Sequence, residues 1–218
     1  MPTTQQEKLI SFFQKYKKVS YKKGRIIINS QDTPQGVYYV QKGFVKDSAD
    51  SRDGKSITLI LFKEGDIFPY NWVFNDIQNF HTFESYTDST ILRAPKEEFV
   101  EFLLKNPDVS LAVTQRILLR LRGILQRLQD FAFGSAYERI SSILVITAER
   151  FGEKQKDGIR ITIPLSHREI AELVGITRET ASIEIKKLEK DNIILRKSKY
   201  YLVKDIKTLR KNSPSRFG

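Results

Sequence analysis

Cysteine is missing from all 218 positions, which excludes disulfides, cysteine-ligated zinc or iron–sulfur clusters and a cysteine nucleophile. Histidine is almost missing too. His81 and His167 stand alone, with no partner at a HExxH-like spacing to build a metal site. There is no GxxxxGK phosphate loop and no GxSxG elbow, and no carboxylate pair stands out as a glycosidase would need. No apolar window approaches the length of a membrane span, and the opening MPTTQQEKLISFF lacks the basic start and cleavage site of a secretory signal. These absences argue against an enzyme and against a membrane protein, and they leave the cytoplasm as the expected compartment.

What is present is a soluble composition, 40% hydrophobic and 29% charged, with a net charge of +11 from 37 basic and 26 acidic residues. That balance favours a polyanionic partner. The charge is uneven: residues 137–218 hold 18 Lys/Arg against 11 Asp/Glu, the longer part before them 19 against 15. Positive charge is densest where the most informative motif lies.

That motif is LSHREIAELVGITRETASIEIKKLEKDNIIL, from Leu165 to Leu195. Ile170, Ala171 and Val174 give the first helix an apolar side, and Ala181, Ile185 and Leu188 give one to the second. Ser166 with Glu169 forms a capping box, Thr177 with Thr180 marks a second helix start, and Gly175 centres the turn. Two helices so joined form a helix-turn-helix, whose second helix can enter the DNA major groove; an ordinary helical hairpin in a core is the competing reading. Ile193–Arg196 and Tyr200–Val203 alternate around Lys197-Ser198-Lys199, adding a small hairpin and hence a wing.

Upstream, residues 5–16 are expected to form a helix packed through Leu9, Ile10 and Phe13. From Val19 to Pro95, short strand-like runs at 25–28, 36–40, 44–47, 56–62 and 90–94 alternate with turn signals such as Lys42-Gly43 and Asp53-Gly54, the texture of an antiparallel sandwich or barrel. A short helix over 96–104 stops near Asn106-Pro107. A long helix then runs to Phe133, on which Ile117, Leu121, Ile124, Leu128 and Phe131 fall at coiled-coil spacing, with Leu118 and Leu125 widening the stripe. So broad an apolar face needs more than one covering surface, and a second copy of the chain is the expected partner. Another helix spans 136–151, and GEKQKDG at 152–158 reads as a charged loop leading into the strand IRITIP; 204–211 is a last helix before the tail NSPSRFG. Arg116, Arg120 and Arg127 on the long helix are read as facing either a pocket or solvent.

On this reading Thr177, Arg178, Glu179 and Ser182 are the base-reading candidates. Arg178 offers a bidentate pair to guanine, and Glu179 accepts from cytosine N4. Ser166, His167, Arg168, Lys186, Lys197 and Lys199 are phosphate candidates that position without reading sequence. The aromatic stretch GDIFPYNWVFN, with Phe68, Tyr70, Trp72 and Phe74 around Pro69, is either core or the wall of an effector pocket.

Taken in order, these segments resemble the CRP/FNR family of bacterial transcription regulators over nearly the whole chain. KKGRIIINSQDTPQGVYYVQKGFVK and KEGDIF are similar to strands and a turn of the family's β roll, KNPDVSLAVTQRILLRLRGILQRLQDFAF to its dimerisation helix, and LSHREIAELVGITRETASIEIKKLEKDNII to its helix-turn-helix. The resemblance implies an α+β chain: a cyclic-nucleotide-binding-type β jelly roll over 1–106, a dimerisation helix over 107–134 and a winged helix-turn-helix over 135–218. It implies a homodimer that binds an inverted repeat in double-stranded DNA and touches RNA polymerase, and the loop at 152–158 lies where the family makes that contact. The family's Arg-Glu reading pair falls on Arg178 and Glu179, but its arginine one turn later is replaced by Ile183.

The effector residues match poorly. The ribose-binding Gly-Glu is replaced by Pro69-Tyr70, the phosphate-binding Arg-Ser by His81-Thr82, and the adenine-contacting Thr-Ser by Ile124-Leu125. A cyclic phosphate needs a charged donor, so cyclic AMP is not expected. Iron–sulfur sensing is excluded with the cysteines. Pro2 and His81 only weakly resemble the ligands of the family's haem sensor, whose proximal cysteine is absent. The candidate pocket is therefore Tyr70, Trp72, His81, Thr82, Ile124 and Leu125, its ligand unknown. The competing functional reading is a non-catalytic scaffold or oligomerising protein with a degenerate winged domain.

Overall fold

The computed structural model describes residues 3–214; Pro2 and the last four residues of the expected tail lie outside them. The chain divides into two compact units within its longest helix, between Leu119 and Arg120.

The first unit opens with α1 (Thr3–Phe13) and β1 (Lys17–Tyr21), followed by β2 (Ile26–Ile28), β3 (Val37–Lys42), β4 (Val45–Asp50), β5 (Ser56–Phe62) and β6 (Ile67–Phe68). Next come α2 (Tyr70–Asn75), β7 (Thr82–Ser85), β8 (Ser89–Ala94), α3 (Lys96–Lys105) and the start of α4 (Pro107–Phe133). The strands form two antiparallel sheets, ordered β1-β8-β3-β6 and β2-β7-β4-β5, which is the expected jelly roll. Alternation decides the core. Tyr38, Val40, Phe68 and Ile91 from one sheet meet Ile28, Val45, Phe62 and Phe83 from the other. At the centre Phe68 stacks on Tyr38 at 5.3 Å and on Phe83 at 5.1 Å. A second cluster, built on Leu9, Phe13, Tyr39, Phe99 and Val113, seats α1, α3 and the first turns of α4 on the roll.

The first helix is shorter than expected. It ends at Phe13, and Lys17–Tyr21 instead pairs with β8 in register from Lys17↔Arg93 to Tyr21↔Ser89. β1 is an edge strand with largely exposed side chains, so its place comes from backbone pairing rather than from an apolar pattern.

The second unit holds the rest of α4, then α5 (Ala136–Phe151), β9 (Gly152–Gln155), β10 (Gly158–Ile161), α6 (His167–Val174), α7 (Arg178–Lys190), β11 (Ile194–Lys197), β12 (Tyr200–Val203) and α8 (Ile206–Lys211). Residues 152–158 are not a free loop. They form most of a hairpin, paired from Gly158↔Gln155 to Ile161↔Gly152 and joined through β10 to the wing in a sheet ordered β11-β12-β10-β9. All four side chains of β9 are exposed, so the sequence carries no apolar alternation to mark it as a strand.

Candidate nucleic-acid interface

Local chemistry sets the two-helix motif. Ser166 Oγ accepts from the Glu169 backbone N–H at 3.2 Å, while the Ser166 N–H donates to Glu169 Oε2 at 2.6 Å, closing the capping box at the start of α6. Gly175 ends α6 in the left-handed conformation at φ 66°, and its N–H returns to the Ala171 carbonyl. A Cβ there would lie 2.6 Å from the Phe131 ring, so two independent constraints require glycine. Thr177 then caps α7, accepting from the Thr180 N–H at 3.2 Å.

α7 buries Ala181, Ile185 and Leu188 completely. Burial of each of the two large side chains contributes about 1.5–3 kcal/mol, which fixes which side of the helix faces out. The outward stripe carries Arg178, Glu179, Ile183, Lys186, Lys187 and Lys190, all exposed. Of the four base-reading candidates, Arg178 and Glu179 are therefore fully presented. Thr177 is exposed but spends its acceptor on the cap, and Ser182 is half-buried at the margin.

Lys186 is the one phosphate candidate on α7; the others fall at the start of α6 and on the wing. Ser166 keeps its hydroxyl proton to donate, since its cap role uses only the acceptor. Arg168 is exposed and pairs with Glu172 at 3.0 Å. Lys197 and Lys199 are exposed at the hairpin tip, where Ser198 takes φ 60° to turn the chain in two residues. Sequence reasoning overlooked Arg196. Its Nη1 lies 3.0 Å from His167 Nε2 and its Nε donates to the Ser198 carbonyl at 2.9 Å, so one guanidinium joins the start of α6 to the wing. Burial first, then Arg196, Arg178 and Lys186, hold His167 below the ordinary histidine pKa, with Glu189 opposing. The imidazole thus sits within a cationic surface that disfavours its protonation.

A second set of residues secures this motif to the end of α4. Arg127 Nη2 donates to the Leu173 carbonyl at 2.6 Å, at the C-terminus of α6 where a cation is favoured. Burial pulls the Arg127 pKa down to about 10, with Asp130 opposing. Asp130 accepts from Ser142 of α5, and Arg139 donates to the Phe131 carbonyl at 2.8 Å while its guanidinium lies over the Phe131 ring. Arg127 is thus engaged by the backbone of α6 and is not a solvated surface charge. Arg116 likewise donates to the Gly65 carbonyl of the roll. Phe131 is half-buried beneath Gly175, whereas Leu118, Leu121, Ile124, Leu125 and Leu128 are exposed along α4 and Ile117 packs on the roll's second cluster.

The effector candidates do not form one cluster within the roll. Tyr70 packs against both of its hydrophobic clusters, and Trp72 packs on the second and lies under Lys96 Nζ at 4.9 Å. His81 Nδ1 instead pairs with the buried Asp47 at 3.1 Å. Asp47 raises the His81 pKa, with burial opposing. Thr82 lies in β7 and its carbonyl accepts from Ser48 Oγ, while Ile124 and Leu125 are exposed on α4 in the other unit. Among the described residues no group of three or more His, Cys, Asp or Glu is placed to hold a metal ion. No described helix is long and apolar enough to cross a membrane.

Residues 18–106 match the cyclic nucleotide-binding domain family, and residues 138–211 match the Crp-like helix-turn-helix domain family. The global nitrogen regulator of Synechocystis sp. is 30% identical over 177 residues, covering 80% of this chain and 79% of that protein. The CRP-like cAMP-activated global transcriptional regulator of Mycobacterium tuberculosis is 24% identical over 164 residues, 75% of this chain and 73% of its own. Among solved structures, a variant of CooA from Carboxydothermus hydrogenoformans superposes with a TM-score of 0.77 at 25% identity, covering 92% of this chain and 89% of that one.

Proposed function

The chain belongs to the CRP/FNR family of DNA-binding, non-catalytic transcription regulators, and on that premise we propose that it acts as a homodimer on an inverted repeat. The observation that carries the proposal is the pairing of two exposed surfaces. One is the stripe of α7 led by Arg178 and Glu179; the other is the apolar row of Leu121, Ile124, Leu125 and Leu128 on α4. A second copy covers the row, and two α7 helices then enter major grooves about one helical turn, roughly 34 Å, apart. Arg178 donates to a guanine and Glu179 accepts from a cytosine, with Thr177 and Ser182 at the margins. Ser166, His167, Arg168, Lys186, Lys197 and Lys199 hold phosphates. We assign the β9–β10 hairpin, whose turn carries Lys156 and Asp157, as the surface that meets RNA polymerase.

The test uses the full-length protein, sequences enriched from random duplexes, and the Arg178→Ala, Glu179→Ala double variant. Wild type is expected to enrich a two-fold symmetric site and to sediment as a dimer. The double variant should dimerise normally and bind that site no better than unrelated DNA. A monomer that binds DNA with full specificity would overturn the dimer, and unchanged specificity in the variant would overturn the reading pair.

The roll lacks the charged donors with which the family's cyclic-AMP-activated members hold their nucleotide. The only side chain with cationic character at the four replaced roll positions is His81, already committed to Asp47, and the space between the sheets is filled by stacked aromatic rings. The roll regulates through an uncharged or apolar ligand, or has no ligand and is controlled by its abundance. Titration calorimetry with cyclic AMP is expected to give no saturable heat; stoichiometric binding would refute this.

A further inference from the structure

On the outward side of α7 every large exposed side chain is charged except one. Ile183 is 58% exposed, four residues after Glu179 and three before Lys186, which places all three on one face. The apolar residues of α7 that the fold uses are Ala181, Ile185 and Leu188, all on the opposite face, so Ile183 adds nothing to the core. An isoleucine offers no hydrogen bond, yet it stands amid residues placed to touch base edges. The major groove presents one apolar feature, the C5-methyl of thymine.

We propose that Ile183 is a specificity-determining residue that reads a thymine methyl in each half-site. This rests on the DNA-binding reading above and extends it to a position that Arg178 and Glu179 do not reach. The four residues from Glu179 to Ile183 span about 6 Å along the helix, or about two base steps at about 3.4 Å each. The thymine therefore lies in the same half-site, within about two base pairs of those read by Arg178 and Glu179. Contact buries the methyl against the isoleucine side chain, and a protein with arginine at this place would instead select guanine there.

The experiment removes the methyl alone. Full-length wild type, Ile183→Ala and Ile183→Arg are each put through selection from random duplexes. Deoxyuridine then replaces each thymine of the wild-type site in turn, and affinities are read by fluorescence anisotropy at fixed salt. Loss of one buried methyl is expected to weaken wild-type binding about four-fold per half-site, at one symmetric position only. Ile183→Ala should be insensitive to that replacement, and Ile183→Arg should shift its preference there to guanine. A wild-type site at which no uridine replacement matters, or which Ile183→Ala binds with the same methyl dependence, would overturn the inference and leave Arg178 and Glu179 standing. Failure of the wild type to enrich any sequence would overturn both readings together.

Discussion

Replacing Gly175 with alanine tests the joint between α4 and the helix-turn-helix. Two costs are separable. Holding an alanine in the left-handed conformation that Gly175 adopts costs about 1–2 kcal/mol. The new Cβ also comes 2.6 Å from Phe131 Cε1 and 3.2 Å from Cζ, and that ring is pinned by Arg139 and by its own helix. Such overpacking costs about 1–3 kcal/mol. The sum, about 2–5 kcal/mol, should lower the unfolding transition of the second unit by at least about 8 °C and by up to about 40 °C, at about 4–8 °C per kcal/mol for a unit of this size. Differential scanning calorimetry of the full-length protein reads the shift. A double-mutant cycle then divides it. Phe131→Ala makes room for the methyl, so the double variant should be more stable than the sum of the single effects predicts, by about 1–2 kcal/mol. The backbone cost should remain, and Gly175→Asn in the Phe131→Ala background should recover part of it, because asparagine tolerates the left-handed region. Additive single effects, or a Gly175→Ala transition within 1–2 °C of wild type (about 0.3 kcal/mol), would refute the packing argument.

Gly123 supplies the contrast: it is helical, and a Cβ there would meet nothing within 4 Å. Gly123→Ala should stabilise the protein by about 0.5–1 kcal/mol in chemical denaturation. For His167, burial and then the neighbouring cations Arg196, Arg178 and Lys186 outweigh Glu189 and keep the pKa low in the free protein. An arriving phosphate raises it, so DNA binding takes up a proton and affinity grows as pH falls from about 8 to 6, around the ordinary value of about 6.5. Anisotropy titrations should show that slope in wild type and lose much of it in His167→Gln. For His81 the sign is opposite in origin. Its pKa is raised in the fold by Asp47, so the pair's stabilisation is complete below the ordinary histidine value and disappears as pH rises through the raised one. Thermal unfolding of His81→Gln should therefore fall further below wild type at pH 5.5 than at pH 8.5.

The parts of the fold that were legible in the sequence are those specified by neighbours in the chain. Ser166 with Glu169, Gly175, and Thr177 with Thr180 are local signals, and the structure places a cap or a turn at each of them. The roll's longer strands announced themselves through alternation and Gly-bearing turns. α2 was not foreseen, because six residues rich in aromatics carry no helical period. β9 escaped because none of its side chains is buried, and β7 because four residues, TFES, are too few for alternation to register. Within the candidate interface, Arg178 and Glu179 could be placed on an outward face from spacing alone. The Arg196–His167 contact could not, since it joins residues 29 positions apart. Nor could the role of Arg127: an arginine every few residues on a long helix reads as solvated charge, and only the tertiary fold brings the Leu173 carbonyl to it.

The attachment of α6 to the last turns of α4 restricts how a signal can travel. With Arg127 on the Leu173 carbonyl, Phe131 under Gly175 and Asp130 on Ser142, the joint has no free swivel at the point where the DNA-binding unit begins. A rotation of the last turns of α4 therefore carries α6 with it, and α7 through the Gly175 turn, whereas loosening this joint would let those helices move independently.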